Sequence, residues 1–162
     1  MFKVSVSGLY IDRKSGESVV LLREENGDRF LPVWIRSNEM LALAIETSDG
    51  KFRPPRPLSH DLAGSILESL DARVVRAIIS DLKDHIYRAH LLVEFDRGIL
   101  DVDTRPSDAL ILALKFDAPI LVEERVIQQR LRIAEGEACT EDQLRDRLQE
   151  IRPEDLGGEG LA

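Results

Sequence analysis

The sequence predicts an α+β fold in which a mostly antiparallel sheet carries helices packed on one face. Segments in which apolar and polar residues alternate, as in half-buried strands, come in groups of three joined by short turns. Each group leads into a segment whose apolar residues recur at helical spacing. The same order occurs twice, which indicates duplicated β3α2 units at about residues 1–70 and 71–135.

The first unit begins with three predicted strands and continues with two predicted helices. Gly16 and Gly27 mark the turns between the strands, and the pair formed by Asn26 and Gly27 is a strong hairpin signal. Residues 48–58 contain three prolines, so this stretch separates the two helices as an irregular loop. The predicted elements are the strands Val4–Asp12, Ser18–Arg23 and Arg29–Ile35 and the helices Ser37–Thr47 and Ser59–Asp71.

The second unit repeats the three strands and a helix, and adds a segment that begins extended and becomes helical. The predicted elements are the strands Arg73–Leu82, Ile86–Phe95 and Gly98–Thr104, the helix Pro106–Phe116 and the segment Pro119–Leu131. A shift of 69 positions lays residues 31–46 over residues 100–115 with six identities, among them Arg36 over Arg105. The same shift lays Glu39 over Asp108. These two matches favour duplication over a chance likeness of two amphipathic segments.

The remaining residues, 136–162, are predicted to form an acidic accessory helix and tail beside a main domain of residues 1–135. Thr140 and Gln143 resemble a capping box, and Pro153 ends the predicted helix. Its thin apolar stripe comprises Leu144, Leu148 and Ile151. From Glu137 onward there are eight acidic residues and three arginines, so the tail carries five of the chain's eight net negative charges.

The composition predicts a cytoplasmic globular protein with no membrane segment. The 162 residues are 43% hydrophobic and 32% charged, and no apolar run approaches the length that crosses a bilayer. Cys139 is the only cysteine, which excludes a disulfide framework and a cysteine-based zinc site. The net charge of −8 weighs against DNA or RNA as a partner, although residues 1–136 carry only −3 of it.

One candidate site is the junction between the strand 98–104 and the helix that follows it. Asp101, Asp103 and Arg105 project from the same face of the strand, and Asp108 falls in the first helical turn. Neighbouring carboxylates need compensation, which Arg105 or a hard cation such as Mg²⁺ or Mn²⁺ would supply. The alternative is structural, because helix capping and local ion pairing use the same residue types.

Two other features carry possible chemistry. His60 stands near the start of the second helix, where the helix dipole favours a neutral imidazole that can act as a base; a hydrogen bond to a neighbouring loop is the structural alternative. Trp34 and Arg36 occupy the face of the first unit that corresponds to Asp103 and Arg105. A single tryptophan there suits a subunit interface or, less commonly, a base-stacking surface.

The sequence resembles the bifunctional nuclease (BFN) domain family, also called the DUF151 family, over roughly residues 4–135. The resemblance rests on LPVWI (31–35) with Glu39, PRPLSHDL (55–62), DVDTRPSDALILAL (101–114), PILVEE (119–124) and RPEDLGG (152–158). The motif positions that carry over are Glu39, His60, Asp61, Asp103, Arg105, Ser107 and Asp108. The chain departs from the family pattern at Arg36, where the family usually has glycine.

The resemblance implies a nuclease that hydrolyses phosphodiester bonds in DNA and/or RNA and forms homodimers or higher homo-oligomers. In that hypothesis Asp101, Asp103 and Asp108 hold one Mg²⁺ or Mn²⁺ ion that activates water. His60 acts as general acid or base and Arg105 binds a phosphate oxygen, while Glu39 and Asp61 complete the catalytic set. The alternative is a non-catalytic oligomeric module with a regulatory or ligand-binding role.

Overall fold

A computed structural model describes residues 1–137 and 145–156 of the chain. The strands among them are β1 (Phe2–Asp12), β2 (Ser18–Glu24), β3 (Phe30–Ile35), β4 (Arg73–Lys83), β5 (Ile86–Phe95), β6 (Gly98–Thr104), β7 (Ile120–Val122) and β8 (Leu148–Ile151). The helices are α1 (Ser37–Thr47), α2 (Ser59–Ser69), α3 (Pro106–Lys115) and α4 (Glu124–Glu137), and a short 3-10 helix covers Pro153–Leu156. The predicted α+β class is confirmed.

The eight strands of the described residues form one sheet in the order β3-β2-β1-β7-β4-β5-β6, with β8 pairing with β1 beside β7. All strand pairs are antiparallel except β4 with β7. Each half contributes a three-stranded meander, and β7 joins the two meanders because it pairs with β1 on one side and β4 on the other. The sheet therefore depends on only three residues for its central connection.

The core lies between the sheet and the helices. Helix α1 packs against β1 and β2, and α3 packs against β4 and β5. Aliphatic side chains fill the space between them, as the composition requires. The largest buried ones include Leu22, Leu31, Met40, Leu43, Ile79, Leu110 and Ile111. No helix of the described residues has the length and hydropathy of a membrane-spanning segment.

The two halves agree up to their first helix. Helices α1 and α3 begin at Ser37 and Pro106, which are 69 positions apart, and Arg36 and Arg105 precede them. After that point the halves differ, since α2 follows α1 whereas β7 and α4 follow α3. The shared order supports the duplication, which stays a prediction.

The predicted C-terminal helix is wrong over Leu148–Ile151, which forms β8 instead. Strand β7 pairs with only the first residues of β1, so the edge of β1 from Leu9 to Asp12 is available to another strand, and β8 occupies it. Backbone pairing with this edge overrides the weak helical spacing of Leu148 and Ile151. The capping-box residues Thr140 and Gln143, and Leu144, lie outside the described residues.

Candidate functional site

The candidate site forms where the N-terminal turns of α1, α2 and α3 approach one another. Pro106 occupies the first turn of α3, where a residue without an N–H group costs no hydrogen bond. Gly64 is buried on α2, and a Cβ added there would lie 2.9 Å from Lys115 Cδ of α3. Because His60 precedes Gly64 by four residues, the close packing at glycine also brings His60 to the start of α3.

His60 and Asp108 contact each other across the two helices. The Nε2 atom of His60 lies 2.9 Å from Asp108 Oδ1, and both side chains are about four-fifths buried. The sequence hypothesis required His60 to lie close to the 101–108 segment, and the structure brings it into hydrogen-bond contact. A carboxylate bound to one imidazole nitrogen fixes the ring orientation and leaves the other nitrogen to exchange a proton.

Arg105 connects the same aspartate to a buried glutamate on α1. Its Nε donates to Asp108 Oδ2 at 2.8 Å, its Nη2 donates to Asp108 Oδ1 at 3.0 Å, and its Nη1 lies 2.7 Å from Glu39 Oε1. Glu39 is only 5% exposed, and its Oε2 accepts a hydrogen bond from the backbone N–H of Arg36 at 2.9 Å. Arg105 is 54% exposed, so part of the guanidinium remains open to solvent.

These contacts define the Arg105 cluster, which consists of Glu39, His60, Arg105 and Asp108. Burial alone would raise the pKa of Asp108, but the hydrogen bonds from Arg105 and His60 outweigh burial and lower it. The hydrogen bond to Asp108 raises the pKa of Arg105. The cluster therefore holds a charged carboxylate and a charged guanidinium beside a histidine.

Asp61, which the resemblance also assigned to the site, has a different role. Its Oδ1 accepts a hydrogen bond from Lys115 Nζ at 2.6 Å, and its Oδ2 accepts one from the backbone N–H of Leu58 at 2.7 Å. Burial would raise the pKa of Asp61, but these partners lower it. Lys115 also pairs with Glu46 at 2.5 Å. Asp61 thus stabilises the start of α2 and fastens it to α3.

The structure does not bring Asp101 and Asp103 to Asp108. On β6 these two residues pair with Leu92 and His90, whereas Thr104 pairs with the fully buried Ala89. They therefore project from the sheet face opposite the core, and Asp101 binds His90 Nδ1 at 2.8 Å.

Among residues 1–137 and 145–156, no group of three His, Cys, Asp or Glu side chains is arranged to hold a metal ion. The guanidinium of Arg105 also occupies the space beside Asp108 that a cation would take. The predicted set of three aspartate ligands for Mg²⁺ or Mn²⁺ does not fit this arrangement.

A cavity of about 570 Å³ adjoins the Arg105 cluster on the side of Glu39. We call it the arginine cleft and define it by Trp34, Arg36, Glu39, Arg105, Arg130 and Arg147. Ser107 is buried and also lines it. The first residues of α1 and α3 face the cleft together, so two helix dipoles add positive potential there.

Sequence reasoning missed Arg130 and Arg147 as parts of this cleft. Arg130 stands over the Trp34 ring at 5.1 Å from its centroid, and Arg147 binds the fully buried carboxylate of Asp12. Burial would raise the pKa of Asp12, but Arg147 and the backbone of Lys14 lower it. Both contacts join segments about a hundred residues apart. An acidic residue at the end of an otherwise alternating strand was the available signal.

Comparison with known proteins agrees with this geometry. Residues 20–134 match the bifunctional nuclease domain. The chain belongs to the bifunctional nuclease domain family. Two similar proteins, both uncharacterized and both from Mycobacterium tuberculosis (strains CDC 1551 / Oshkosh and ATCC 25618 / H37Rv), are 41% identical over 129 residues. The alignment covers 80% of this chain and 76% of each relative.

The bifunctional nuclease domain contains the whole Arg105 cluster. It also contains Trp34, Arg36 and Arg130 of the arginine cleft. Asp12 and Arg147 lie outside the matched residues. The pair that closes this end of the cleft is therefore contributed by the flanking strands β1 and β8.

Proposed function

We propose that this protein hydrolyses phosphodiester bonds in DNA and/or RNA at the Arg105 cluster. The contact of His60 with Asp108, next to a half-exposed Arg105, is the observation that carries the proposal. Membership of the bifunctional nuclease domain family supports a nuclease function in general terms.

His60 is the general acid or base of this proposal. Asp108 binds Nε2, so Nδ1 is the nitrogen that takes a proton from the attacking oxygen or gives one to the leaving oxygen. Asp108 orients the ring and stabilises the imidazolium that forms when Nδ1 takes up a proton. A positioned general acid or base contributes about 10²- to 10⁴-fold to a rate.

Arg105 binds the phosphate in this proposal. Its guanidinium is held by two carboxylates, which fixes its orientation before substrate arrives. The exposed part can donate to a phosphate oxygen and stabilise the charge that grows there in the transition state. Mg²⁺ or Mn²⁺ stays a prediction, and no step of the proposal passes through it.

The test compares matched variants on single-stranded DNA, duplex DNA and RNA. The chain offers a natural control, because His90 and Asp101 form a second His–Asp pair on the opposite sheet face. We expect His60→Ala and Asp108→Asn to lower kcat by about 10²-fold or more, and His90→Ala and Asp101→Asn to leave it unchanged. Circular dichroism and thermal melting check that each variant is folded.

Two results would contradict the proposal. Equal activity in His60→Ala, Asp108→Asn and the wild type would indicate a contaminating nuclease. Loss of activity in Asp101→Asn comparable to that in Asp108→Asn, restored by added Mn²⁺, would instead favour the predicted metal site.

Exposed apolar residues favour the alternative of an oligomeric, non-catalytic module. Leu62, Ile66 and Leu70 form a stripe along α2 and are 50–69% exposed. Strand β6 lies at the sheet edge with Leu100 53% exposed on its core-facing side. A second copy of the chain could cover both features across a twofold axis, which would leave no free β6 edge. A homo-oligomer without nuclease activity would support this alternative.

A further inference from the structure

We propose that the arginine cleft binds one nucleotide, with its phosphate at Arg36 and its base against Trp34. The binding site is distinct from the proposed cleavage chemistry, because a nucleotide can bind there whether or not the Arg105 cluster hydrolyses a bond. The ligand chemistry is a phosphorylated nucleoside with an unpaired base. It can come from a free nucleotide or from single-stranded nucleic acid.

The size of the cleft suits such a ligand. Its volume of about 570 Å³ lies within the range of about 300–1,000 Å³ that small-molecule sites occupy. It lies between the two halves of the chain, because its walls come from the β3–α1 junction, the β4–β5 turn and the start of α3. Sites between structural units are a common position for ligand pockets.

The charges of the cleft favour an anion. Four arginines and three acidic residues line it, and two of the acids already have partners, since Asp12 binds Arg147 and Glu39 binds Arg105. Arg36 is exposed, and no carboxylate of the described residues pairs with its guanidinium. The starts of α1 and α3 add their dipoles, and backbone N–H groups at helix starts bind phosphate oxygens.

Arg36 and Arg105 also occupy equivalent places at the starts of two helices that pack together. Each side chain can therefore approach the cleft from its own helix. Arg36 stands where the family usually has glycine, so this chain adds a cation to the cleft. Phosphate bound at Arg36 would lie beside Arg105, and the cleft would then hold a nucleotide next to the proposed cleavage site.

Two further groups favour a base and a sugar over inorganic phosphate. Trp34 is half-buried and lines the cleft, and a base that stacks on an indole gains about 1–3 kcal/mol in nucleic-acid-binding proteins. Glu39 Oε1 is buried and accepts no aligned hydrogen bond in the described part of the chain, although Arg105 Nη1 lies 2.7 Å away. A ribose hydroxyl or a base amino group would supply the missing donor.

Fluorescence provides a direct test because Trp34 is the only tryptophan of the chain. The protein is titrated with AMP, adenosine and inorganic phosphate, and with a single-stranded adenylate hexamer whose phosphorothioate linkages resist cleavage. We expect AMP to quench Trp34 saturably, and to bind about tenfold more tightly than adenosine or phosphate. Arg36→Gln should weaken AMP binding about tenfold. Arg76→Gln, which removes an exposed arginine of β4 outside the cleft, should not change it.

The two sources of the nucleotide give different results. Tighter binding of the hexamer than of AMP, with the same loss in Arg36→Gln, identifies single-stranded nucleic acid as the ligand. Tighter binding of AMP identifies a free nucleotide. Either result supports the proposal.

Three results would overturn the proposal: no saturable quenching below about 5 mM of any ligand, adenosine or phosphate binding as tightly as AMP, or equal effects of Arg36→Gln and Arg76→Gln. A nuclease assay on the same samples separates the two proposals. Cleavage without AMP or hexamer binding refutes the nucleotide site alone. Binding without cleavage refutes the proposed nuclease function alone.

Discussion

The ion pair between Arg105 and Glu39 gives the sharpest prediction about stability. We expect a double-mutant cycle of Arg105→Gln and Glu39→Gln to yield a coupling free energy of about 2 kcal/mol. Glu39 is 5% exposed and loses its only cationic partner of the described residues when Arg105 is replaced. The single variant Arg105→Gln should therefore lower the free energy of unfolding more than the double variant does relative to Glu39→Gln.

The magnitude follows from the burial of the two partners. Opposite charges about 4 Å apart attract by about 4 kcal/mol at the effective dielectric constant of a protein surface. Because Arg105 is 54% exposed, solvent screening reduces this attraction to about half. The hydrogen bonds of Arg105 to Asp108 are lost in both arms of the cycle and cancel.

Urea unfolding at neutral pH, followed by far-ultraviolet circular dichroism, measures the cycle. The pair Arg73 with Glu94 is a matched control, because its side chains are 71% and 45% exposed. We expect its coupling to stay below about 0.5 kcal/mol. A coupling for Arg105 and Glu39 no larger than that of the control would refute the electrostatic role assigned to the buried glutamate.

Three further predictions concern acid stability, helix packing and association. Because the folded pKa of Asp12 is lowered, its contribution to stability is present above about pH 4 and lost as pH falls through the folded pKa; Asp12→Asn should flatten the acid side of a pH–stability curve, and an unchanged curve would contradict this. Gly64→Val should cost about 1–3 kcal/mol in urea unfolding by pushing α2 from Lys115, and wild-type stability would refute that packing. Ile66→Asp should shift sedimentation toward the monomer, unless α2 lies outside the interface.

The local sequence determined the secondary structure well where its signals were strong. Helix α1 matches its predicted bounds, and α3 starts at the predicted Pro106. The hairpin signal at Asn26 and Gly27 also corresponds to the observed turn between β2 and β3. These elements form from residues near one another in the chain, so pattern and capping suffice.

The candidate site was predictable only in part. The motif resemblance selected His60 and Asp108, but their contact depends on how α2 packs against α3, which alternation and spacing do not encode. The shared face of Asp101 and Asp103 was predicted from alternation and agrees with the strand register. That face turned out to lie opposite the core, because the sheet order decides which side of β6 the helices cover.

The position of β7 has a consequence for how the chain folds during synthesis. The meander β1–β3 contains only local contacts and can form as soon as its residues emerge, but one side of β1 then has no partner until residues 120–122 are made. Pairings between distant segments are slow to form because a long loop must close first. The open side of β1 is therefore the stage at which a nascent chain is most exposed to pairing with a neighbour. A mutation that weakens β7 should lower the yield of folded protein by more than its effect on equilibrium stability suggests.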